Sequence, residues 1–124
     1  MQDKKNFYIN GEWVSSLEPR SFQVINPATE EPCAEISLGG KRDIDAAVGS
    51  AKKAFETWSF TSKDERLALL EKLYEIYKKN WDEMSKTISL EMGAPIDFST
   101  QLQTGAGASH IKSFKNILKD FKFE

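Results

Sequence analysis

Apolar and polar positions alternate near the start of the chain, which is the pattern of a β-strand with one covered face. Residues 7–14 alternate in this way on both sides of the dipeptide Asn10-Gly11. Asn and Gly tolerate the positive φ that both central residues of a type I′ turn require. The pattern therefore predicts a β-hairpin over residues 7–14.

Two further strands are predicted after a polar connection. One covers residues 22–25 and ends in a turn at Asn26-Pro27, and the other lies near residues 33–38. Gly39-Gly40 then ends the β-rich part, because Gly is depleted within strands. We expect residues of about 6–38 to be β-rich.

From Asp43 onward the apolar spacing changes from two residues to the 3.6-residue period of a helix. A first helix is predicted over about residues 42–57, with acidic residues in its first turn. A second helix is predicted to begin at a capping box formed by Ser62 and Glu65. Its apolar stripe consists of Leu67, Leu70, Tyr74, Tyr77 and Trp81.

The remaining pattern predicts two more helices. Asn80 and Glu83 have the spacing of a second capping box, so we expect a break there and a third helix that ends at Gly93. A fourth helix is predicted from near Asp97 through Leu118, which extends the helical part over about residues 42–119. Residues 121–124 alternate with period two, as at the beginning of a strand.

Length, composition and charge narrow the class of protein. A chain of 124 residues with 40% apolar content fits one globular domain. Its net charge of -2 disfavours nucleic acid as a partner. No stretch has the length of a membrane span or the character of a secretory signal, so a cytoplasmic location without membrane insertion is expected. One cysteine and one histidine exclude an internal disulfide and a Cys/His zinc site.

Three features invite a chemical interpretation. Cys33 lies in a predicted strand close to Glu31, which opposes thiolate formation and favours a structural role. His110 lies in a predicted helix without a nucleophile pattern, which favours packing or capping. The segment of residues 105–110 lacks the third glycine of a dinucleotide fingerprint and follows no strand, so we expect close helix contacts there instead.

The order and spacing of several short motifs resemble the aldehyde dehydrogenase superfamily over nearly the whole chain. None of these motifs is specific alone, but they occur together. They are residues 8–13 (Tyr-Ile-Asn-Gly-Glu-Trp), 26–29 (Asn-Pro-Ala-Thr), 43–48 (Asp-Ile-Asp-Ala-Ala-Val), 65–66 (Glu-Arg) and 90–95 (Leu-Glu-Met-Gly-Ala-Pro). The resemblance implies an α/β fold for the family and, for residues 1–124, the amino-terminal part of its cofactor-binding domain. This stretch itself is expected to be α+β, with a hairpin and short strands followed by about four helices.

The resemblance also implies a chemistry. In the family, a cysteine thiolate attacks the aldehyde to form a thiohemiacetal, hydride passes to NAD or NADP, and a glutamate activates the water that releases the acid. No residue here matches the catalytic or nucleotide-binding motifs. We therefore expect this stretch to be structural and inactive alone, with no NAD or NADP bound to it. The complete enzyme would act on an aldehyde and form a dimer or tetramer.

One implied site does map onto this chain. Many relatives hold a structural Na⁺ or K⁺ ion through two backbone oxygens before Asn-Pro and a carboxylate before the Gly-x-Pro region. These positions are Val24, Ile25 and Glu91. Oxygen ligands suit such hard cations. The other interpretation of Glu91 is a surface carboxylate near a helix end.

Two other classes of function remain open at this point. The chain would instead be a stand-alone helical interaction module, or a remnant derived from such an enzyme. Alternatively, the lysines at 112, 115, 119 and 122 would make the fourth helix a basic amphipathic helix that binds a membrane surface or a partner.

Overall fold

The computed structural model describes residues 4–123. They divide into two compact units that separate after Phe60, called here unit 1 and unit 2. Unit 1 contains the strands and the first helix, and unit 2 contains the remaining helices. This is the α+β arrangement expected from the sequence, with strands preceding the helices.

Unit 1 begins with the predicted hairpin. Strands β1 (Asn6–Ile9) and β2 (Glu12–Ser15) pair antiparallel, with Tyr8 opposite Trp13. Asn10 and Gly11 have φ values of 55° and 83°, as a type I′ turn requires. The Tyr8 and Trp13 rings lie 5.3 Å apart across the pair. The prediction for residues 7–14 is therefore confirmed.

A second antiparallel pair and a helix complete unit 1. Strand β3 (Arg20–Asn26) pairs with β4 (Glu31–Leu38), and helix α1 follows (Lys41–Trp58). The predicted strands were shorter than the observed ones, because polar residues at the strand ends pair through their backbones despite weak side-chain patterns.

Unit 2 consists of helices α2 (Lys63–Lys79), α3 (Trp81–Met92), α4 (Ile96–Phe98) and α5 (Thr104–Asp120), with a π-helical segment (Ser99–Gln103) before α5. The predicted capping box is present. The Ser62 hydroxyl accepts from the Glu65 amide at 3.2 Å, and the Glu65 carboxylate accepts from the Ser62 amide at 2.7 Å. Gly93 ends α3 with a φ of 74°, also as predicted.

Two predictions for unit 2 were wrong in detail. A break occurs at Asn80, but its side chain does not cap α3; the Asn80 amide group instead donates to the Ile76 carbonyl at 2.8 Å, at the end of α2. The fourth helix is interrupted by the π-helical segment. Side-chain periodicity barely distinguishes a short π segment from an α-helix, so the sequence pattern could not indicate it.

The predicted strand start after α5 is also absent from the described residues. Residues 121–123 have no strand partner in the described part, and Glu124 lies outside it. The Phe121 and Phe123 rings instead contact each other edge to face at 5.0 Å. The Arg66 guanidinium lies 5.1 Å from the Phe123 ring centre. Within the described residues, these alternating apolar side chains pack against each other, and Phe121 has an extended backbone.

Candidate functional site

The positions predicted to bind a cation begin with Val24 and Ile25, which are adjacent in β3. Val24 is opposite Ala34, whereas Ile25 is opposite Pro32, so Cys33 is the extra residue of a β-bulge. Proline has no N–H group to donate to the opposite strand. The register shift thus lies between the two residues whose backbone oxygens the sequence singled out.

Residues around this bulge define a tight turn. The Asn26 side-chain oxygen accepts from the Ala28 amide at 2.9 Å, and the Asn26 carbonyl accepts from the Glu30 amide at 2.8 Å. Cys33 is half-buried, and its thiol donates to the Val24 carbonyl at 3.4 Å. That contact gives Cys33 a local structural role, as the sequence indicated.

Glu91, the third predicted ligand, belongs to unit 2. It is exposed in the last turn of α3, two residues before Gly93. The structure therefore brings Val24 and Ile25 together in unit 1 and places Glu91 in the other unit. Within residues 4–123, no group of three or more His, Cys, Asp or Glu side chains is arranged to hold a metal ion.

Asp43, in the first turn of α1, is a charged side chain surrounded by hydrogen-bond donors. Its carboxylate is buried and accepts from the Ser16 hydroxyl at 2.8 Å, the Leu17 amide at 2.7 Å and the Gly40 amide at 2.9 Å. The Gly40 amide, followed by the Leu17 amide, lowers the pKa of Asp43 from its ordinary value of 3.8, against the opposing effect of burial.

Hydrogen bonds join the loop after β2 to the start of α1, and each segment supplies an acceptor carboxylate: Asp43 on α1 and Glu18 in the loop. The Glu18 carboxylate accepts from the Arg42 amide at 3.3 Å, at the positive end of the helix dipole. All these partners are amides or hydroxyls of the protein, so Asp43 acts as an anchor rather than as a base. The sequence indicated only a dipole effect for Asp43. The three-residue spacing from Gly40 to Asp43 could have indicated the cap.

Unit 2 contains a second buried polar cluster, made of neutral groups. The hydroxyls of Ser85 and Thr104 lie 2.9 Å apart, and Ser85 also donates to the Trp81 carbonyl at 2.8 Å. Ser85, Ser99 and Thr104 are almost completely buried. The Ser99 hydroxyl has no hydrogen-bond partner among the described residues.

Two aromatic residues satisfy carbonyls at the π-helical segment. Tyr77 donates its hydroxyl proton to the Thr104 carbonyl at 3.1 Å, and Trp81 donates its indole N–H to the Thr100 carbonyl at 3.2 Å. A β-carbon at Gly107 would lie 2.3 Å from the Tyr77 hydroxyl oxygen. The close helix contact expected at residues 105–110 is thus present at Gly107.

The remaining candidate side chain shows no catalytic arrangement. His110 is exposed in the interior of α5, whereas the sequence favoured a packing or capping role. Residues 105–110 all lie within α5, not at a turn between a strand and a helix, so they do not form a dinucleotide-binding turn.

Large apolar side chains remain exposed in both units. Among the described residues, the only buried apolar side chains are those of Ala94 and Ala108. The exposed ones include Tyr8, Trp13, Ile44, Val48, Phe55, Trp58, Leu69, Leu73, Ile76, Phe114 and Ile117. Within residues 4–123, none of the helices combines the length and the apolar composition needed to cross a membrane.

Comparisons with known proteins agree on one family. A model of the aldehyde dehydrogenase family matches residues 13–123. A curated relative, 3-succinoylsemialdehyde-pyridine dehydrogenase from a Pseudomonas species, is 45% identical over 100% of this chain and 26% of its own length. The chain therefore spans about a quarter of the relative that it matches.

The chain also covers about a quarter of the length of the solved structures that it matches. An aldehyde dehydrogenase from Bartonella henselae has a TM-score of 0.96 at 53% identity, over 99% of this chain and 26% of its own. One from Pseudomonas syringae, solved with NAD⁺ and octanal, has a TM-score of 0.92 at 37% identity, over 96% of this chain and 24% of its own.

Proposed function

Because the chain belongs to the aldehyde dehydrogenase family, we propose that it forms the amino-terminal portion of an NAD(P)-dependent enzyme that oxidises an aldehyde to a carboxylic acid. The observation that carries this proposal is a family match over residues 13–123 combined with coverage of only a quarter of the relatives. A cysteine outside this stretch would form the thiohemiacetal. NAD(P), when bound, accepts the hydride.

Within that enzyme, residues 1–124 are proposed to be a structural part of the cofactor-binding domain. Supporting this role, unit 1 and unit 2 are fixed by buried polar anchors, whereas their large apolar side chains remain exposed. Exposed apolar surface of this kind commonly marks an interface with further protein. This stretch alone is proposed to bind no NAD(P) and to oxidise no aldehyde.

The test uses the purified 124-residue chain and a chimera. In the chimera, this chain replaces the matching quarter of the Bartonella henselae enzyme, to which it is 53% identical. Absorbance of NADH is followed with NAD⁺ and a panel of aldehydes that includes octanal. The chimera is expected to produce NADH and the chain alone to produce none. Activity of the chain alone, with contaminating enzyme excluded, would contradict the structural role.

We also propose that the complete enzyme holds Na⁺ or K⁺ through the backbone oxygens of Val24 and Ile25 and the Glu91 carboxylate. The bulge at Val24 and Ile25, opposite a proline, supports this choice of oxygens. Oxygen ligation matches the chemistry of hard cations. Glu91 is exposed and so accessible to a cation.

Thermal unfolding of the chimera tests this cation proposal, because an ion that binds only the folded state raises its melting temperature. We expect Na⁺ or K⁺ to raise it above the value in tetramethylammonium at equal ionic strength, and Glu91→Gln to reduce that increase. Glu83→Gln, on the same helix, is the control. An equal response of both variants would contradict the proposed role of Glu91.

A cytoplasmic location and a dimer or tetramer of the complete enzyme are part of the same proposal. They rest on the family assignment. Sedimentation of the chimera tests the assembly, for which a monomer would be the contradicting result.

A further inference from the structure

The hairpin of unit 1 is fixed at its base and exposed at its tip. At the base, the Lys4 amide donates to the Glu35 carbonyl of β4 at 3.0 Å, and the Asp43 carboxylate binds the loop that follows β2. At the tip, Asn10 and Gly11 are both exposed. Two paired strands alone are only marginally stable in water, so the tip is the part of the hairpin that opens most readily.

The backbone amide of Gly11 is not used by the turn. The hydrogen bond that closes a two-residue hairpin turn joins the residues on either side of it, which here are Ile9 and Glu12. A β-carbon added at Gly11 would have no atom within 4 Å, so the space around this residue is open. Because glycine has no side chain, nothing on Gly11 itself shields its amide nitrogen from the preceding residue.

The side chain of Asn10 is equally unrestrained. Among residues 4–123, no hydrogen bond holds its amide group. Asn10 has a φ of 55° and directly precedes the glycine. A bond between the side-chain carbonyl carbon of Asn10 and the backbone nitrogen of Gly11 would close a five-membered ring. The two reacting groups are therefore neighbours in the chain, and both are accessible.

The other four asparagines of the chain lack this combination. The side chains of Asn6, Asn26 and Asn80 take part in hydrogen bonds. Asn26 also precedes a proline, which has no N–H group that could react. Asn116 lies within α5, where the amide of the next residue is bonded to the preceding helical turn. Among the asparagines, Asn10 alone combines an exposed turn, an unbound side-chain amide and a following glycine.

We propose that Asn10 is a site of self-modification, at which the chain converts its own asparagine to aspartate and isoaspartate. The Gly11 nitrogen, on losing its proton, attacks the side-chain carbonyl carbon of Asn10. A carbon–nitrogen bond forms there, the bond to the side-chain nitrogen breaks, and that nitrogen takes up a proton and leaves as ammonia. The product is a succinimide ring, and nothing is oxidised or reduced. Asparagine is among the thermolabile residues of proteins, which fits this chemistry.

Water then opens the ring at either of its two carbonyl carbons. Addition at the side-chain carbon gives aspartate and leaves the backbone unchanged. Addition at the backbone carbonyl carbon gives isoaspartate, whose main chain runs through the former side chain and is one carbon longer. Either product carries a carboxylate where Asn10 carried a neutral amide, two residues before the carboxylate of Glu12.

The two products should affect the hairpin differently. A two-residue turn fixes the register of its strands, so an extra backbone carbon is incompatible with Tyr8 opposite Trp13. Isoaspartate should therefore separate these two rings, whereas aspartate tolerates positive φ and should retain the register. The base of the hairpin should keep its contacts with β4 and Asp43 in both forms, because it is bound independently of the turn.

The test compares the asparagines within one protein. The 124-residue chain and the Bartonella henselae chimera are incubated at mildly alkaline pH, which deprotonates more of the attacking amide. Their peptides are then separated by chromatography and identified by mass spectrometry. We expect Asn10 to be converted at least several-fold faster than any other asparagine in both proteins, and to give both aspartate and isoaspartate.

Asn10→Gly is the matched control for this reaction. A Gly-Gly turn has the backbone freedom of the natural turn but no side-chain amide, so the hairpin should form and no new carboxylate should appear at residue 10. Near-UV circular dichroism of the separated products tests the effect on the hairpin. The aspartate form should match the unaltered chain, and the isoaspartate form should lose the signal of the Tyr8–Trp13 ring pair.

Three results would overturn the proposal. Asn10 could remain intact in the chain or in the active chimera while a peptide of residues 6–15 is converted, which would show that the folded protein protects the turn. Aspartate without isoaspartate would exclude the succinimide. Conversion of all five asparagines at one rate would remove the special role of the turn. The reaction needs only residues 10 and 11 and water, so an inactive chimera would contradict the proposed function alone, and the 124-residue chain would then decide this proposal.

Discussion

Each of the two units is stabilised by a buried polar group, but the chemistry of that group differs between them. In unit 1, the buried anchor is the Asp43 carboxylate, which binds two backbone amides and a hydroxyl around the start of α1. In unit 2, the buried anchor is a pair of neutral hydroxyls, Ser85 and Thr104, beside the π-helical segment. A charged anchor depends on protonation, whereas a neutral one depends on close packing and complete hydrogen bonding.

The largest expected effect tests the packing of unit 2. Gly107→Ala places a methyl group against the Tyr77 hydroxyl and so disturbs its bond to the Thr104 carbonyl. We expect the free energy of unfolding of the 124-residue chain to fall by about 2–3 kcal/mol, from overpacking and the lost hydrogen bond. Urea unfolding followed by circular dichroism measures it.

Gly105→Ala is the matched control for this change. It lies in the same helix, and nothing comes within 4 Å of an added β-carbon. It should raise the unfolding free energy by up to about 1 kcal/mol through helix propensity alone. Equal effects of the two substitutions would contradict the contact with Tyr77.

A smaller effect tests hydrogen bonding within the same cluster. Ser85→Ala removes the partner of the buried Thr104 hydroxyl and should lower the unfolding free energy by about 1–2 kcal/mol. Ser99→Ala removes a buried hydroxyl that has no partner among the described residues, so it should leave stability unchanged or raise it. Urea unfolding compares the two serines, and an equal loss for both would show that Ser99 has a stabilising partner.

The third test concerns the charged anchor of unit 1. The pKa of Asp43 is lowered in the folded state, so its stabilisation is complete at pH values above 3.8 and is lost as the pH falls through the lowered pKa. Asp43→Asn should therefore flatten the loss of stability between about pH 5 and pH 2. Hydrogen exchange of the Leu17 and Gly40 amides measures the opening directly. An unchanged acid response of Asp43→Asn would exclude Asp43 as the anchor.

The smallest expected effect concerns the surface of unit 2. The Lys115 hydrogen bond lowers the pKa of Glu71, which gives that pair the same acid dependence as Asp43. The Lys115–Glu71 pair is partly exposed, so salt should weaken it. The hydrogen bonds from backbone amides to the buried Asp43 carboxylate should be insensitive to salt. Urea unfolding at low salt and at about 1 M salt compares Glu71→Gln with the unaltered chain. Glu71→Gln should lower the free energy of unfolding at low salt, and this loss should disappear at high salt.

The sequence predicted the features that local chemistry determines. Asn10-Gly11 has the backbone freedom that its turn needs, Ser62 and Glu65 satisfy each other's amides, and Gly93 ends a helix with positive φ. Asn80 was misinterpreted because its side chain had two possible uses, capping α3 or closing α2, and the sequence pattern is compatible with both.

Features that depend on tertiary contacts were less accessible. Tyr77 and Trp81 were recognised only as apolar positions, although their polar atoms bind carbonyls at the π-helical segment. The exposed apolar side chains of Leu69, Leu73 and Ile76 on α2 were missed because the predicted stripe of that helix already accounted for an amphipathic helix. For the cation site, Val24 and Ile25 came from family resemblance, and the bulge around them required knowledge of strand register.

The central claim is that residues 1–124 are a part of a larger enzyme, held by polar anchors and left with exposed apolar faces. Sedimentation of the purified chain, with ANS binding on the same samples, tests this claim most directly. We predict a helical chain that binds ANS and associates as its concentration rises. A monodisperse monomer that binds no ANS would contradict the claim and would favour a stand-alone interaction module.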